Sequence, residues 1–200
     1  MTHFCRIALI TLTFLAVPYG ARADDDMRDD ALVLARICVS EAGFPVWDST
    51  ADAGVGAWRF SDDCRGIYEA LRWASAHHNM RFSAFAQRYA HNVFDEESSR
   101  PRAYVGDLEP NGRTPRRWPP SPHVDWSRFR QSWLALYRHA QYLVAGAIPS
   151  ACEETPTDWA GGSTSARLGA AARGMHEVSC GQSSNRFYIR DSVWQRRRER

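Results

Sequence analysis

The chain has 200 residues, and its 25 basic and 23 acidic side chains leave a formal charge of only +2. That balance supplies no whole-molecule field for nucleic acid or membrane surfaces. The length suits one compact domain with a true hydrophobic core and is short for two.

Arg6 precedes the apolar run from Ile7 to Val17, which is too short for a bilayer, where about 20 residues are needed. Pro18 and then Ala21-Arg22-Ala23 follow, with small residues at the two positions a signal peptidase reads, before the acidic Asp24-Asp25-Asp26. Residues 1–23 are therefore expected to be a secretory signal peptide, 24–30 an acidic linker, 31–194 the folded domain and 195–200 a basic tail. The peptide removes Arg6 and Arg22 and no acid, so the mature chain is formally neutral. It is expected to be secreted or periplasmic, monomeric, and without stable membrane insertion after cleavage. Cys5 leaves with the peptide; Cys38, Cys64, Cys152 and Cys180 remain. An even count in an exported chain implies disulfides. Pairing of sequence neighbours, Cys38 with Cys64 and Cys152 with Cys180, closes two loops of fewer than about 30 residues, each worth roughly 3 to 4 kcal/mol.

A first helix is expected from Ala31 to about Ala42, capped by Asp29 or Asp30. Leu34, Ile37, Cys38 and Glu41 fall at i, i+3, i+4 and i+7 on one face. Gly43 suits the left-handed residue that ends a helix, and Pro45 cannot continue it. From Trp47 to Asp63 the chain is rich in Ser, Thr, Asp and Gly yet holds Val55, Trp58 and Phe60; a short helix and a hairpin fit equally. Helices follow from Cys64 to about Ala76 and from Ser83, with Phe85 and Tyr89 at helical spacing. Residues 95–124 contain Pro101, Pro110, Pro115, Pro119, Pro120 and Pro122, which forbid regular structure over most of that length. Tyr104 and Trp118, with the arginines around them, make this long loop a candidate sugar-contacting lobe. The clearest helix runs from about Trp126 to Ala145, with Phe129, Trp133, Leu136, Tyr137 and Ala140 on one stripe. Beyond it lie a small-residue helix from about Ser165 to Ala172 and the apolar run Phe187-Tyr188-Ile189.

Glu41 is the most informative residue. On an apolar helix face, at the negative end of the helix dipole, a carboxyl is expected to have a raised pKa, as a general acid working near neutral pH requires. A solvated glutamate at a frayed helix end fits the periodicity as well. The segment Leu34-Ala35-Arg36-Ile37-Cys38-Val39-Ser40-Glu41-Ala42-Gly43 resembles the N-terminal catalytic motif of SleB-type, spore-cortex-lytic cell wall hydrolases and their phage-associated relatives. Trp159-Ala160-Gly161-Gly162 and Cys180-Gly181 with Ser184-Asn185-Arg186-Phe187-Tyr188 are similar to the ending of such domains. The resemblance implies a mainly α (α+β), lysozyme-like single domain with two disulfides and a long Pro-rich loop. It implies Glu41 as the catalytic acid, acting on peptidoglycan glycan strands as a lytic transglycosylase or muramidase. Tyr104, Trp118, Tyr89 and Asn185 are the expected substrate contacts. The chain departs from the pattern after the glutamate, where Gly54-Val55-Gly56-Ala57-Trp58-Arg59 replaces an apolar helical core.

A hydrolase would need a second carboxylate, for which Asp48, Asp52, Asp62 and Asp63 are the candidates in expected loops, whereas a transglycosylase can work with one acid/base because the sugar's own 6-hydroxyl attacks. The six histidines of the mature chain form no His-Glu-x-x-His or comparable spacing, so no metal and no cofactor is expected. No nucleic acid partner is expected either. The eight tryptophans keep a second class open, a secreted glycan-binding protein without catalysis, although Trp73 and Trp133 are placed as core residues.

Overall fold

The computed structural model describes residues 19–51, 56–94, 108–113, 126–162, 168–171 and 173–199. Most of the expected signal peptide lies outside these residues, as does most of the proline-rich segment, including Tyr104 and Trp118. The described chain mixes helices with small antiparallel sheets, an α+β arrangement. The elements are α1 (Tyr19–Glu41), β1 (Val46–Asp48), β2 (Ala57–Arg59), α2 (Asp62–His77), α3 (Phe82–Tyr89), α4 (His91–Phe94), α5 (Trp126–Val144), β3 (Asp158–Ala160), β4 (Met175–Val178), β5 (Arg186–Arg190) and α6 (Asp191–Arg198). Among the described residues no helix is long and apolar enough to cross a membrane.

Helix α1 begins well before Ala31, so residues 24–30, read from sequence as a linker, form helical turns instead. Tertiary pairing explains the difference. Asp26 forms an ion pair with Arg81, and Asp30 accepts the backbone N–H of Ser83 at 3.0 Å. Asp30 thus serves α3, satisfying one of the open amides in its first turn. Ser83, where that helix is expected to start, lies inside it, and Arg81 at the cap position makes no side-chain capping bond.

The core is built around α1. Val33, Leu34, Ala35, Ile37, Cys38 and Val39 are all buried, which is more than one helical face. A helix buried on several sides needs neighbours on several sides, and α5, α2 and α3 supply them. The buried stripe of α5, Phe129, Trp133, Leu136 and Ala140, follows the expected periodicity and extends to Leu143. Fully buried Trp133 donates its indole N–H to the carbonyl of Glu109 at 2.8 Å, and Arg36 Nε donates to that of Leu108 at 2.8 Å. These bonds fasten residues 108–113 to the bundle.

Residues 46–59 resolve the open choice as a hairpin: β1 pairs antiparallel with β2, Trp47 opposite Trp58. The second sheet has the order β3-β5-β4, all antiparallel, and its central strand carries buried Phe187, Tyr188 and Ile189. Phe187 lies directly on Gly66 of α2, where an added Cβ would come within 2.5 Å of the ring. That close approach accounts for a glycine inside a helix, which otherwise costs about 1 kcal/mol relative to alanine. Both disulfides have the expected pairing, Cys38 with Cys64 and Cys152 with Cys180. The expected basic tail at 195–200 is, over Gln195 to Arg198, the last turns of α6.

Candidate functional site

Glu41 is the last residue of α1, and its position is held from two directions. Three residues earlier, Cys38 is bonded to Cys64 in the first turn of α2. From the other side, Asn185 donates its side-chain amide to the backbone carbonyl of Glu41 at 3.2 Å. A helix-end carbonyl has no partner within its own helix, so this bond satisfies a group that would otherwise need water. The structure therefore brings together two of the expected site residues, Glu41 and Asn185. Glu41 itself is only partly buried, less enclosed than its place on the apolar face suggested, because the helix ends there.

Asn185 is held by a residue whose role the sequence reading missed. Asp63, 1 % exposed, accepts the Asn185 backbone N–H at 2.7 Å, the Ser184 hydroxyl at 2.6 Å, the Ser184 N–H at 3.2 Å and the Ser61 hydroxyl at 2.7 Å. The same Ser61 oxygen accepts the Asp63 N–H and caps α2. Four donors and the positive end of the α2 dipole take the place of water around this carboxylate. Ser61-Asp62-Asp63 before the apolar periodicity of α2 is an N-terminal capping pattern, and that signal could have found it. Asp63 is one of the four candidates for a second catalytic carboxylate, and its oxygens accept from the 184–185 loop and from Ser61.

The other aspartates are also engaged. Burial disfavours the charged form of Asp62, but hydrogen bonds from Arg65 and from the Gln182 N–H outweigh it and hold its carboxyl below the ordinary value. Gly181 adopts a left-handed conformation against Asp62, where any side chain would collide with the carboxyl. Asp48 is held low by the hydroxyl and N–H of Thr50, with Arg59 adding to the effect against a smaller burial penalty. Asp52 lies outside the described residues.

Tyr89, an expected substrate contact, belongs to a different network. Its hydroxyl lies 3.4 Å from Asp158 Oδ1, Asp158 also pairs with Arg190, and the Tyr89 ring meets Trp159 at 5.1 Å. Burial, reinforced by Asp158, pushes the phenol up to about 12. These partners fix Tyr89 as a strut between α3 and β3.

A cleft of about 730 Å³ opens between the β1–β2 hairpin and the outer face of α5. Trp47 and Trp58 form one wall, their rings edge-to-face at 5.2 Å. The α5 wall includes Arg128, Gln131, Leu134, Arg138, His139 and Tyr142, and Phe60 also lines the cleft. Phe60 and His139 stack in parallel at 4.1 Å. Burial, with Arg65 nearby, depresses the His139 imidazole to about 4, and its Nε2 has no hydrogen-bond partner among the described residues. Glu41 is not one of the cleft's walls. Three residues beyond it, however, Phe44 packs on Phe129 at 4.9 Å, and Phe129 follows Ser127 and Arg128, which line the cleft. The segment that follows α1 therefore packs on the first turn of α5. Among the described residues no group of three His, Cys, Asp or Glu side chains gathers as a metal site would require.

A partly buried glutamate at a doubly fixed helix end and an aromatic cleft with guanidinium and amide donors are thus the two candidate features of the described residues. No family model, curated protein or solved structure matches the chain. The described architecture is that of an α+β protein with two disulfides.

Proposed function

We propose that this chain is an exported, lysozyme-like enzyme that cleaves the glycan strands of peptidoglycan, with Glu41 as its acid/base. The observation that carries the reading is the placement of Glu41. It ends a helix clamped by the Cys38–Cys64 disulfide and the Asn185 bond, in a fold that also carries a cleft whose tryptophans offer apolar surface to sugar rings and whose arginines and Gln131 offer donors to hydroxyl groups. Glu41 would give its proton to the glycosidic oxygen as that bond breaks. In a transglycosylase the same carboxylate then takes the proton from the sugar's 6-hydroxyl, which closes onto the anomeric carbon. The engagement of Asp48, Asp62 and Asp63 with other partners favours this single-carboxylate route over a hydrolase. Two disulfides agree with an oxidising compartment, and hence with the secreted or periplasmic location.

The position of Glu41 outside the cleft walls supports a second reading, a glycan-binding protein on the same scaffold. One experiment separates the two. The protein is incubated with purified peptidoglycan and released fragments are identified by mass. Anhydro-muramyl ends are expected, and Glu41→Gln should lower their release by at least about a hundredfold, the scale of general acid catalysis, with glycan binding retained. Reducing ends would mean hydrolysis, release at the wild-type rate by Glu41→Gln would remove Glu41 from the chemistry, and binding without any fragments would establish the second reading.

A further inference from the structure

We propose that the groove between α2 and α6 is a separate binding site for acid-bearing saccharides. Five residues line it over about 470 Å³: Trp73 and His77 from α2, and Val193, Arg196 and Arg197 from α6. Trp73 and His77 stack nearly parallel, their ring centroids 4.9 Å apart. Buried Val193 adds an apolar surface, and among the described residues no carboxylate lines the groove.

The arginines exceed what α6 needs for itself. A cation in the last turn complements the helix dipole by about 0.3 to 1 kcal/mol, and α6 places three there, Arg196, Arg197 and Arg198. Arg197 is tied down by an Nη1 bond to the carbonyl of Thr155 at 2.8 Å, which orders its head and leaves most of a guanidinium's five N–H donors unused. Ordered guanidinium groups recognise carboxylate and phosphate in pairs of parallel bonds. With an indole in the same lining they suit a ligand with both a ring and an anion. Trp73 also lines the adjoining groove of about 570 Å³, which reaches Thr155 and Ser150, so more than one residue of a polymer fits along α2. Two carboxylates line that second groove, Glu69, which accepts the hydroxyl of Ser150 and the N–H of Ala151, and Glu153, and Arg72 lines it with them. A nucleic acid is the weaker match. The groove lining has no amide or hydroxyl side chain to read a base edge, and the whole chain carries a charge of only +2.

The site is independent of glycan cleavage and is tested by binding alone. Full-length mature protein is titrated calorimetrically with hexagalacturonate, with its methyl ester, and with single-stranded DNA of matched charge. Hexagalacturonate should bind with an affinity that falls as salt rises. The ester and the DNA should each bind at least about tenfold more weakly, and Arg196→Gln/Arg197→Gln should weaken hexagalacturonate binding by a similar factor. Trp73→Tyr should retain most of the binding and Trp73→Ala should lose it; if Trp73→Ala does not fold, the exposed arginine pair decides. Equal binding of acid and ester, equal binding of DNA, or an unaffected double-Gln variant would each overturn the proposal.

Discussion

Asp63 and Asn185, 122 positions apart in the chain, are joined by a 2.7 Å hydrogen bond from the Asn185 N–H to a carboxylate that is 1 % exposed. The Asn185 side chain in turn reaches the carbonyl of Glu41 at 3.2 Å. Two helices and a loop from the C-terminal sheet thus meet at the end of α1. Asp63→Asn replaces one acceptor oxygen with an N–H₂ group that faces donors, so it should destabilise the fold by about 2 to 4 kcal/mol. Asn185→Ala removes only the outer bond and should cost about 1 kcal/mol. Urea denaturation of both variants checks the order, and equal losses would show that the carboxylate is not the centre of the network.

The Cys38–Cys64 bond closes a 26-residue separation between α1 and α2. Its removal by the double alanine variant should cost about 3 kcal/mol, a fall in Tm on the order of 10 °C. Because Cys38 lies one helical turn before Glu41, glycan cleavage should decline under partial reduction before circular dichroism reports unfolding. Simultaneous loss of both signals would mean that the bond stabilises the whole fold without a particular effect on the helix end.

His139 makes stability depend on pH. Its pKa is about 4 in the folded chain and close to 6.5 when unfolded, so the unfolded chain binds the extra proton between those values. Folding stability should be constant above about pH 6.5 as far as this group is concerned, decline as pH falls toward 4, and level off below it. The partly exposed ring limits the loss to roughly 2 kcal/mol or less. His139→Phe, which keeps the stack on Phe60 and removes the unpartnered nitrogen, should flatten this part of the profile. An unchanged slope in chemical denaturation at pH 4.5 and 7 would assign the acid sensitivity to other groups.

Gly66→Ala sets two effects against each other. Alanine favours the helix by about 1 kcal/mol, but its Cβ would lie 2.5 Å from the Phe187 ring, and overpacking of this kind costs about 1 to 3 kcal/mol. Net destabilisation is expected, with partial recovery when Phe187→Leu is added. A stabilised single variant would show that the ring moves aside at little cost.

Local pattern was enough for several features because their causes are local. The 3.6-residue periodicity of Phe129, Trp133, Leu136 and Ala140 defines α5 wherever the helix packs, and Gly43 with Pro45 stops α1 near Glu41. Short loop closure favours the two disulfide pairings that are present. Long-range partners decided the rest. Residues 24–30 read as a linker because their acids have no local use; Arg81 and the first turn of α3 supply one. The stretch from Trp47 to Asp63 is equally consistent with a helix and a hairpin by sequence, and the pairing of Trp47 with Trp58 decides for the hairpin. Tyr89 is an expected substrate contact by residue type, and only the tertiary structure shows that its hydroxyl also meets Asp158, 69 positions away. Asp63 was one acid among four in the sequence. Only the return of the chain at Ser184 and Asn185, carried there by the pairing of β5 with β3 and β4, surrounds that carboxylate with donors and ties it to the helix end that presents Glu41.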